Sequence, residues 1–251
     1  PSIFNISAMS YGALSGPAIE ALSMGAATSG VWLNTGEGGL SPFHQTAACD
    51  LVFQIGTAKY GVRNHDGNLD IEKIARLAAI PQVRMFEIKL SQGAKPGKGG
   101  ILPAEKVTDL IATTRGIPPR EDSVSPNRHR EVTDADSLLD LIDRVRMASG
   151  KPVGIKLVLG QTTWLDSFCD AIHARGPASA PDFITLDSAD GGTGAAPQAL
   201  LDNMGLPVAS SLPLVDEKLT FAGLRERIKL IASGKMINPA GVAAALCLGA
   251  D

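Results

Sequence analysis

Two lysines stand inside apolar runs, Lys89 in EIKL and Lys156 in GIKLV. An ammonium in such a setting is costly unless it meets an anion, so each reads as a cation aimed at an anionic ligand, with a structural ion pair as the competing reading. The run after Lys89, LSQGAKPGKGG, adds Gln92 and Lys95 among glycines. It is not a nucleotide P-loop, which needs four residues between its first Gly and its Gly-Lys, followed by Ser or Thr. Here three residues separate Gly93 from Gly97-Lys98, and Gly99 comes next. The loop keeps the cations and amides of an anion site and loses the triphosphate spacing.

Glu37 lies between glycines in NTGEGG, a carboxylate on a tight turn that can bind an amine, orient a loop or act as a base; a solvated turn residue is the plainer reading. Asp187 and Asp190 flank Ser188-Ala189 and lead into Gly191, Gly192 and Thr193, where a cofactor can pass close to the backbone. His44, His65, His129 and His173 stand at no metal-ligand spacing, so no metal site is expected. A Gly-x-Ser-x-Gly elbow is absent, which leaves serine hydrolase chemistry without support.

These groups need elements to hold them. Apolar β-rich runs at 3–9, 31–35, 51–55, 84–90, 153–159, 182–187 and 228–232 alternate with helical patterns at 16–28, 69–79, 103–114, 135–148, 163–174 and 239–248. Pro103 and Pro239 suit first-turn positions, where a missing N–H costs nothing. The order predicts an α/β fold, a (β/α)₈ TIM barrel lacking its eighth strand, as one domain over 1–251 cut at both ends. An open doubly wound sheet competes, but it usually shows one dominant Gly-rich turn. Here SAMSYGALSG, NTGEGG, KLSQGAKPGKGG, DSADGGTGA and ASGK follow five different strands, the pattern of loops that converge on a barrel's C-terminal face. The stretch 115–133 is long enough to read as functional or interfacial.

Composition excludes several classes. With 251 residues, 44% hydrophobic, 20% charged and a net charge of −3, the chain carries no nucleic-acid footprint and calls for no anionic membrane surface. Mean hydropathy is +0.10, and no apolar stretch reaches the roughly 18 residues of a membrane span. Cys49, Cys169 and Cys247 are odd in number and far apart, which points to a reducing, cytoplasmic setting.

The segments SAMSYGALS, NTGEGG, QGAKPGKGG, LPAEKV, KLV, DGGTGA and GLRERIKLIASGK resemble, in the same order, the FMN-binding synthase domain of glutamate synthases, and most of all its stand-alone branch. The resemblance implies an oxidoreductase acting on CH–NH₂ donors, in which reduced FMN helps convert 2-oxoglutarate and ammonia, through 2-iminoglutarate, into glutamate. By the same resemblance Ser7, Ala8, Met9, Ser10, Gln54, Lys156, Gly191 and Gly192 contact the flavin, and Gly234 and Lys235 lie near its phosphate. Lys89, Gln92 and Lys95, with Lys59 or Arg63, hold the 2-oxoacid carboxylates. Lys89 also supplies a proton, and Glu37 sits where ammonia enters. Lys89 and Glu37 are thus the expected catalytic pair. Two features of the residues agree with this: several fixed cations and amides suit a dicarboxylate, and a buried lysine suits a reduced flavin.

The implied partners are a small 2-oxoacid, an ammonia donor, and an electron-donor protein or glutaminase subunit. The family's three-iron, four-sulfur cluster is expected to be missing here, because its cysteines are. Three departures from the family pattern stand out: Ile101 in place of a Gln before Leu-Pro, SPNRHRE in place of SPPPHHD, and DSADGG in place of SGHDGG. They leave room for flavin-dependent amine transfer or reduction on a related 2-oxoacid, or for a non-catalytic binding or assembly fragment of the same fold.

Overall fold

The computed structural model describes residues 2–95, 99–190, 196–201 and 203–251. They fall into two compact units, one made of Pro1–Lys89, Gly99–His129 and Arg144–Pro152, the other of Leu90–Lys98, Arg130–Asp143 and Val153–Asp251.

In the first unit a helix α1 (Gly16–Ser29) precedes strands β1 (Leu33–Asn34) and β2 (Leu51–Ile55), then helix α2 (Ile71–Ala78) and strand β3 (Val83–Lys89). The strands run parallel in the order β1-β2-β3. All five residues of β2 are buried, which explains why LVFQI reads as a continuous apolar run instead of an alternating one. Phe53 and Phe86, both fully buried, meet across β2 and β3 with ring centroids 5.8 Å apart. Helix α2 starts where Asp70 accepts a hydrogen bond from the Lys73 amide, and α1 ends at Gly30, whose φ of 66° is left-handed.

The expected first strand contracts to a single parallel bridge between Ile6 and Leu33. Its start is drawn off by local bonding: the Ser2 hydroxyl bonds the carbonyl and amide of Phe4, while Ile3 and Phe4 face solvent. The helix expected over 103–114 also divides. Pro103 precedes a short 3₁₀ turn, Ala104–Lys106, and helix α3 (Asp109–Arg115) begins only after Thr108 caps it through the Ile111 amide. Flanking these two elements, β4 (Ile101–Leu102) pairs antiparallel with β5 (Ser123–Val124), so the long stretch after residue 115 folds back onto the residues before Pro103.

Helix α4 (Ala135–Ser149) has residues in both units. In the second unit, strands β6 (Val153–Leu157), β7 (Phe183–Asp187) and β8 (Lys229–Ser233) run parallel in that order, alternating with α5 (Thr163–Arg175), α6 (Val208–Phe221) and α7 (Pro239–Cys247). Ile155, Ile184 and Leu230 are fully buried. Pro239 does occupy a first-turn position, behind an Asn238 cap on the Gly241 amide. Helix α6 carries Pro213 in its interior, which hides it from a search for helical patterns. Parallel strands alternating with helices are the β/α-barrel class expected from the sequence. Among the described residues the parallel strands number six, plus the Ile6 bridge.

Candidate functional site

Polar residues at the C-terminal ends of the first unit's strands are tied together by one carboxylate. Glu87 of β3 is buried, and its Oε1 accepts from the side-chain amides of Asn34 on β1 (2.8 Å) and Gln54 on β2 (2.6 Å). Gln54 stands opposite Glu87 in the strand register, so the bond is short and direct. The Asn34 Oδ1 in turn accepts the Gly36 amide at 3.0 Å, which sets the start of the NTGEGG turn. Glu87 and Asn34 were not among the expected site residues, and Gln54, expected at the flavin, has its amide committed to Glu87.

That turn carries Glu37 onto Lys89. The Lys89 Nζ lies 3.3 Å from the Glu37 Oε1, with side chains only 12% and 26% exposed. Glu37 packs over Gly56, where an added Cβ would come within 2.6 Å of the Glu37 side chain. His129, buried in SPNRHRE, donates from Nε2 to the Lys89 carbonyl at 3.0 Å and so anchors the end of β3. The structure therefore brings together the two residues expected to be catalytic, as an ion pair.

The SAMS stretch, Ser7 to Ser10, is held by a histidine that sequence reasoning left among loop residues. His44 is fully buried; its Nε2 donates to the Met9 carbonyl (2.9 Å), while Nδ1 accepts from the Ser41 amide (3.2 Å) and hydroxyl (2.8 Å). This set of partners requires the neutral Nε2–H tautomer. Burial pushes the imidazole below its ordinary value and outweighs the backbone bonds to Met9 and Thr35. On the other side of the stretch the Met9 amide donates to the Asn34 carbonyl, and Gly36, at φ 66°, passes so close to Ser10 that a Cβ would reach 2.7 Å from its nitrogen.

Arg115, the last residue of α3, is the cation that sequence reasoning missed. It is 8% exposed, donates to the Ser123 hydroxyl at 3.1 Å and lies over the Tyr60 ring at 4.7 Å from the centroid. Its Nε has no hydrogen-bond partner, and no carboxylate pairs with it among the described residues. Gly12, at φ 107°, lets the guanidinium close onto the backbone: a Cβ there would stand 2.8 Å from the Arg115 Nη2. In the sequence Arg115 looks like an ordinary basic residue in a helix's last turn. Of the other expected cations in this unit, Lys59 is buried at φ 54°. Arg63 lines a groove of about 450 Å³ with His65, Asp109 and the turn from Gly116 to Pro119.

In the second unit Asp187, at the end of β7, gathers three groups. Its Oδ1 lies 3.2 Å from the Lys156 Nζ and accepts the Ser233 hydroxyl at 3.0 Å, and its Oδ2 accepts the Gly93 amide at 2.8 Å. Lys156 is buried near the C-terminal end of β6, and its carbonyl takes the Leu90 amide at 2.8 Å. Gly93 admits no side chain, since a Cβ would sit 1.9 Å from the Ser188 carbonyl oxygen. Gln92 and Lys95 lie on this loop, and Lys95 is buried. The Ser188 hydroxyl donates to Asp190 and accepts the Val208 amide. Gly234, at φ 109°, runs beneath Ser188, and Lys235 reaches Asp190 at 3.8 Å. Gly191 and Gly192 lie outside the described residues.

Among the described residues no group of three His, Cys, Asp or Glu could hold a metal ion, and no helix is long and apolar enough to cross a membrane. Cys49 and Cys169 are buried and Cys247 is exposed, all as free thiols.

Residues 2–251 match the family described as the conserved region in glutamate synthase. The glutamate synthase large subunit-like protein YerD of Bacillus subtilis (strain 168) is 44% identical over 246 residues, covering 98% of this chain and 46% of that protein. The archaeal glutamate synthase [NADPH] of Archaeoglobus fulgidus is 36% identical over 253 residues, covering 100% and 45%. The chain thus spans about half the length of these curated relatives. Among solved structures, the recombinant flavin-binding domain of baker's yeast flavocytochrome b2 aligns with a TM-score of 0.58 at 16% identity, covering 98% of this chain and 55% of that one. A flavocytochrome b2 variant with pyruvate bound gives 0.59 at 16% identity, with the same coverage. These likenesses carry the barrel fold, and the sequence match carries the family: the chain belongs to the glutamate synthase family.

Proposed function

We propose that this chain is the FMN-dependent, amine-forming segment of a glutamate synthase-type oxidoreductase, reducing the imine of 2-oxoglutarate and ammonia to glutamate. The observation that carries the reading is Arg115, a buried guanidinium with an unpartnered Nε, packed against the glycine backbone at Gly12. A cation in that state is matched by a carboxylate ligand. Lys89, 3.3 Å from Glu37, is placed to exchange a proton, and the pair sits on a turn fixed by Asn34. In the second unit the residues fit a flavin. Lys156 is a buried cation whose charge Asp187 offsets, and Gly234 keeps the backbone beside Ser188 clear of a side chain that would collide there.

Bound FMN supplies the reducing equivalents; the protein's share is to bind the acid, exclude water and hold the proton on Lys89. An electron-donor protein and an ammonia source are required partners on this reading. Ile101 favours a second reading, a 2-oxoacid with an apolar side chain, because an exposed apolar residue stands where the resemblance to large glutamate synthases implies Gln.

A spectral titration tests both. The chain mixed with FMN is expected to show the bound-flavin bands, and 2-oxoglutarate is expected to perturb them more than a 2-oxoacid with an apolar side chain does. Failure to take up FMN would refute the proposal, and a stronger response to the apolar acid would move it to the second reading.

A further inference from the structure

We propose that Asp187 is the counter-charge that sets the reduction potential of the flavin, by neutralising Lys156 and tying it to the substrate loop. This deepens the reading above and rests on FMN binding there.

Without Asp187, Lys156 would be a bare positive charge at the end of the parallel strands. Here β7 ends in Asp187, 3.2 Å from the ammonium, with the two side chains 6% and 14% exposed. At that burial a charge acts over several ångström with little screening. An unopposed Lys156 stabilises an anionic reduced flavin over the neutral oxidised one. With Asp187 in place the pair is close to neutral, and the reduced form loses that advantage. The potential is therefore held lower, which makes the bound reduced flavin a stronger donor toward an imine.

The carboxylate's other oxygen makes the same residue a tether. The Gly93 amide donates to Oδ2 at 2.8 Å, and Gly93 lies against the Ser188 carbonyl with no space for a Cβ. Ser91 on the same loop clasps the C-terminal end of β6, its amide donating to the Lys156 carbonyl and its hydroxyl accepting from the Val158 amide just beyond the strand. The start of the loop bearing Gln92 and Lys95 is thus registered on the same pair that tunes the flavin. The Ser233 hydroxyl at 3.0 Å fixes the rotamer of Asp187, so the carboxylate cannot swing away from the lysine without breaking two further bonds.

The test is a charge cycle on the FMN-loaded chain: wild type, Asp187→Asn, Lys156→Gln and the double variant, each titrated for its two-electron potential. Asp187→Asn is expected to tighten reduced FMN relative to oxidised FMN about tenfold, an upward shift of about 30 mV. Lys156→Gln is expected to shift the potential the opposite way by a similar amount, and the double variant to return near wild type. A purely structural role would not produce opposite signs that cancel. If Asp187→Asn does not fold, the comparison of Lys156→Gln with the double variant carries the same sign test. Wild-type chain that takes up no FMN would bring down the flavin reading and this inference together. Wild-type chain that binds FMN, with a potential unmoved by Asp187→Asn, would overturn the inference alone.

Discussion

His44 makes a prediction that needs no cofactor. The ring is fully buried in its neutral form and its value is depressed by burial, whereas in the unfolded chain a histidine titrates near 6.5. Below about pH 6.5 the unfolded state therefore binds a proton that the folded state refuses. Stability is then lost as pH falls, until the folded group itself titrates. The contribution is fully present above pH 6.5. Between pH 7.5 and 5.5 a single such group costs up to about 1.4 kcal/mol, the limit being set by one proton over the unit below 6.5. Urea unfolding of the chain at pH 7.5, 6.5 and 5.5 is expected to show this fall, and His44→Gln, which keeps a donor for the Met9 carbonyl, is expected to flatten it. His65, whose side chain is fully exposed, serves as the control: His65→Gln should leave the slope alone. The range stays above the region where carboxylates titrate, so Asp134 and Asp251, both held low, do not intrude. An unchanged slope in His44→Gln would refute the reasoning.

Two further outcomes are expected. Gly93→Ala drives a Cβ to within 1.9 Å of the Ser188 carbonyl and pulls the Gly93 amide off Asp187, so urea unfolding should show a loss of about 2–4 kcal/mol, and a loss under about 0.5 kcal/mol would contradict the close approach. Arg115→Lys keeps the charge but gives up the Nη1 bond to Ser123 and the stacking on Tyr60. It should weaken 2-oxoglutarate about tenfold in the flavin perturbation assay while leaving FMN affinity unchanged, and an equal affinity for the acid would remove Arg115 from the site.

The strands were legible because burial on both faces leaves an apolar run that needs no partner to be recognised. LVFQI and VGIKL are read correctly to within a residue or two. Lys156 was legible for the same reason, as a charge that apolar neighbours made conspicuous. Glu87 escaped because its partners lie 53 and 33 residues away, and a lone carboxylate in a strand does not announce which amides it will meet. The β4–β5 pairing escaped because two-residue strands carry no periodicity. Helix α6 escaped because Pro213 interrupts the pattern that would reveal it. Arg115 and His44 look ordinary in sequence. What distinguishes them is the close approach of Gly12 to the guanidinium and a carbonyl at Met9, and both depend on packing that no local window contains.

The carboxylate of Glu87 also says where this scaffold can be cut and rejoined. It couples Asn34, Gln54 and itself across three successive strands, so those positions form one exchange unit: transplanting any strand end without the other two strands' partners strands a buried charge or amide. Loops grafted after residues 34, 54 and 87 inherit an intact lock beneath them. A chimera joined upstream of any of the three has to import a matching partner for it.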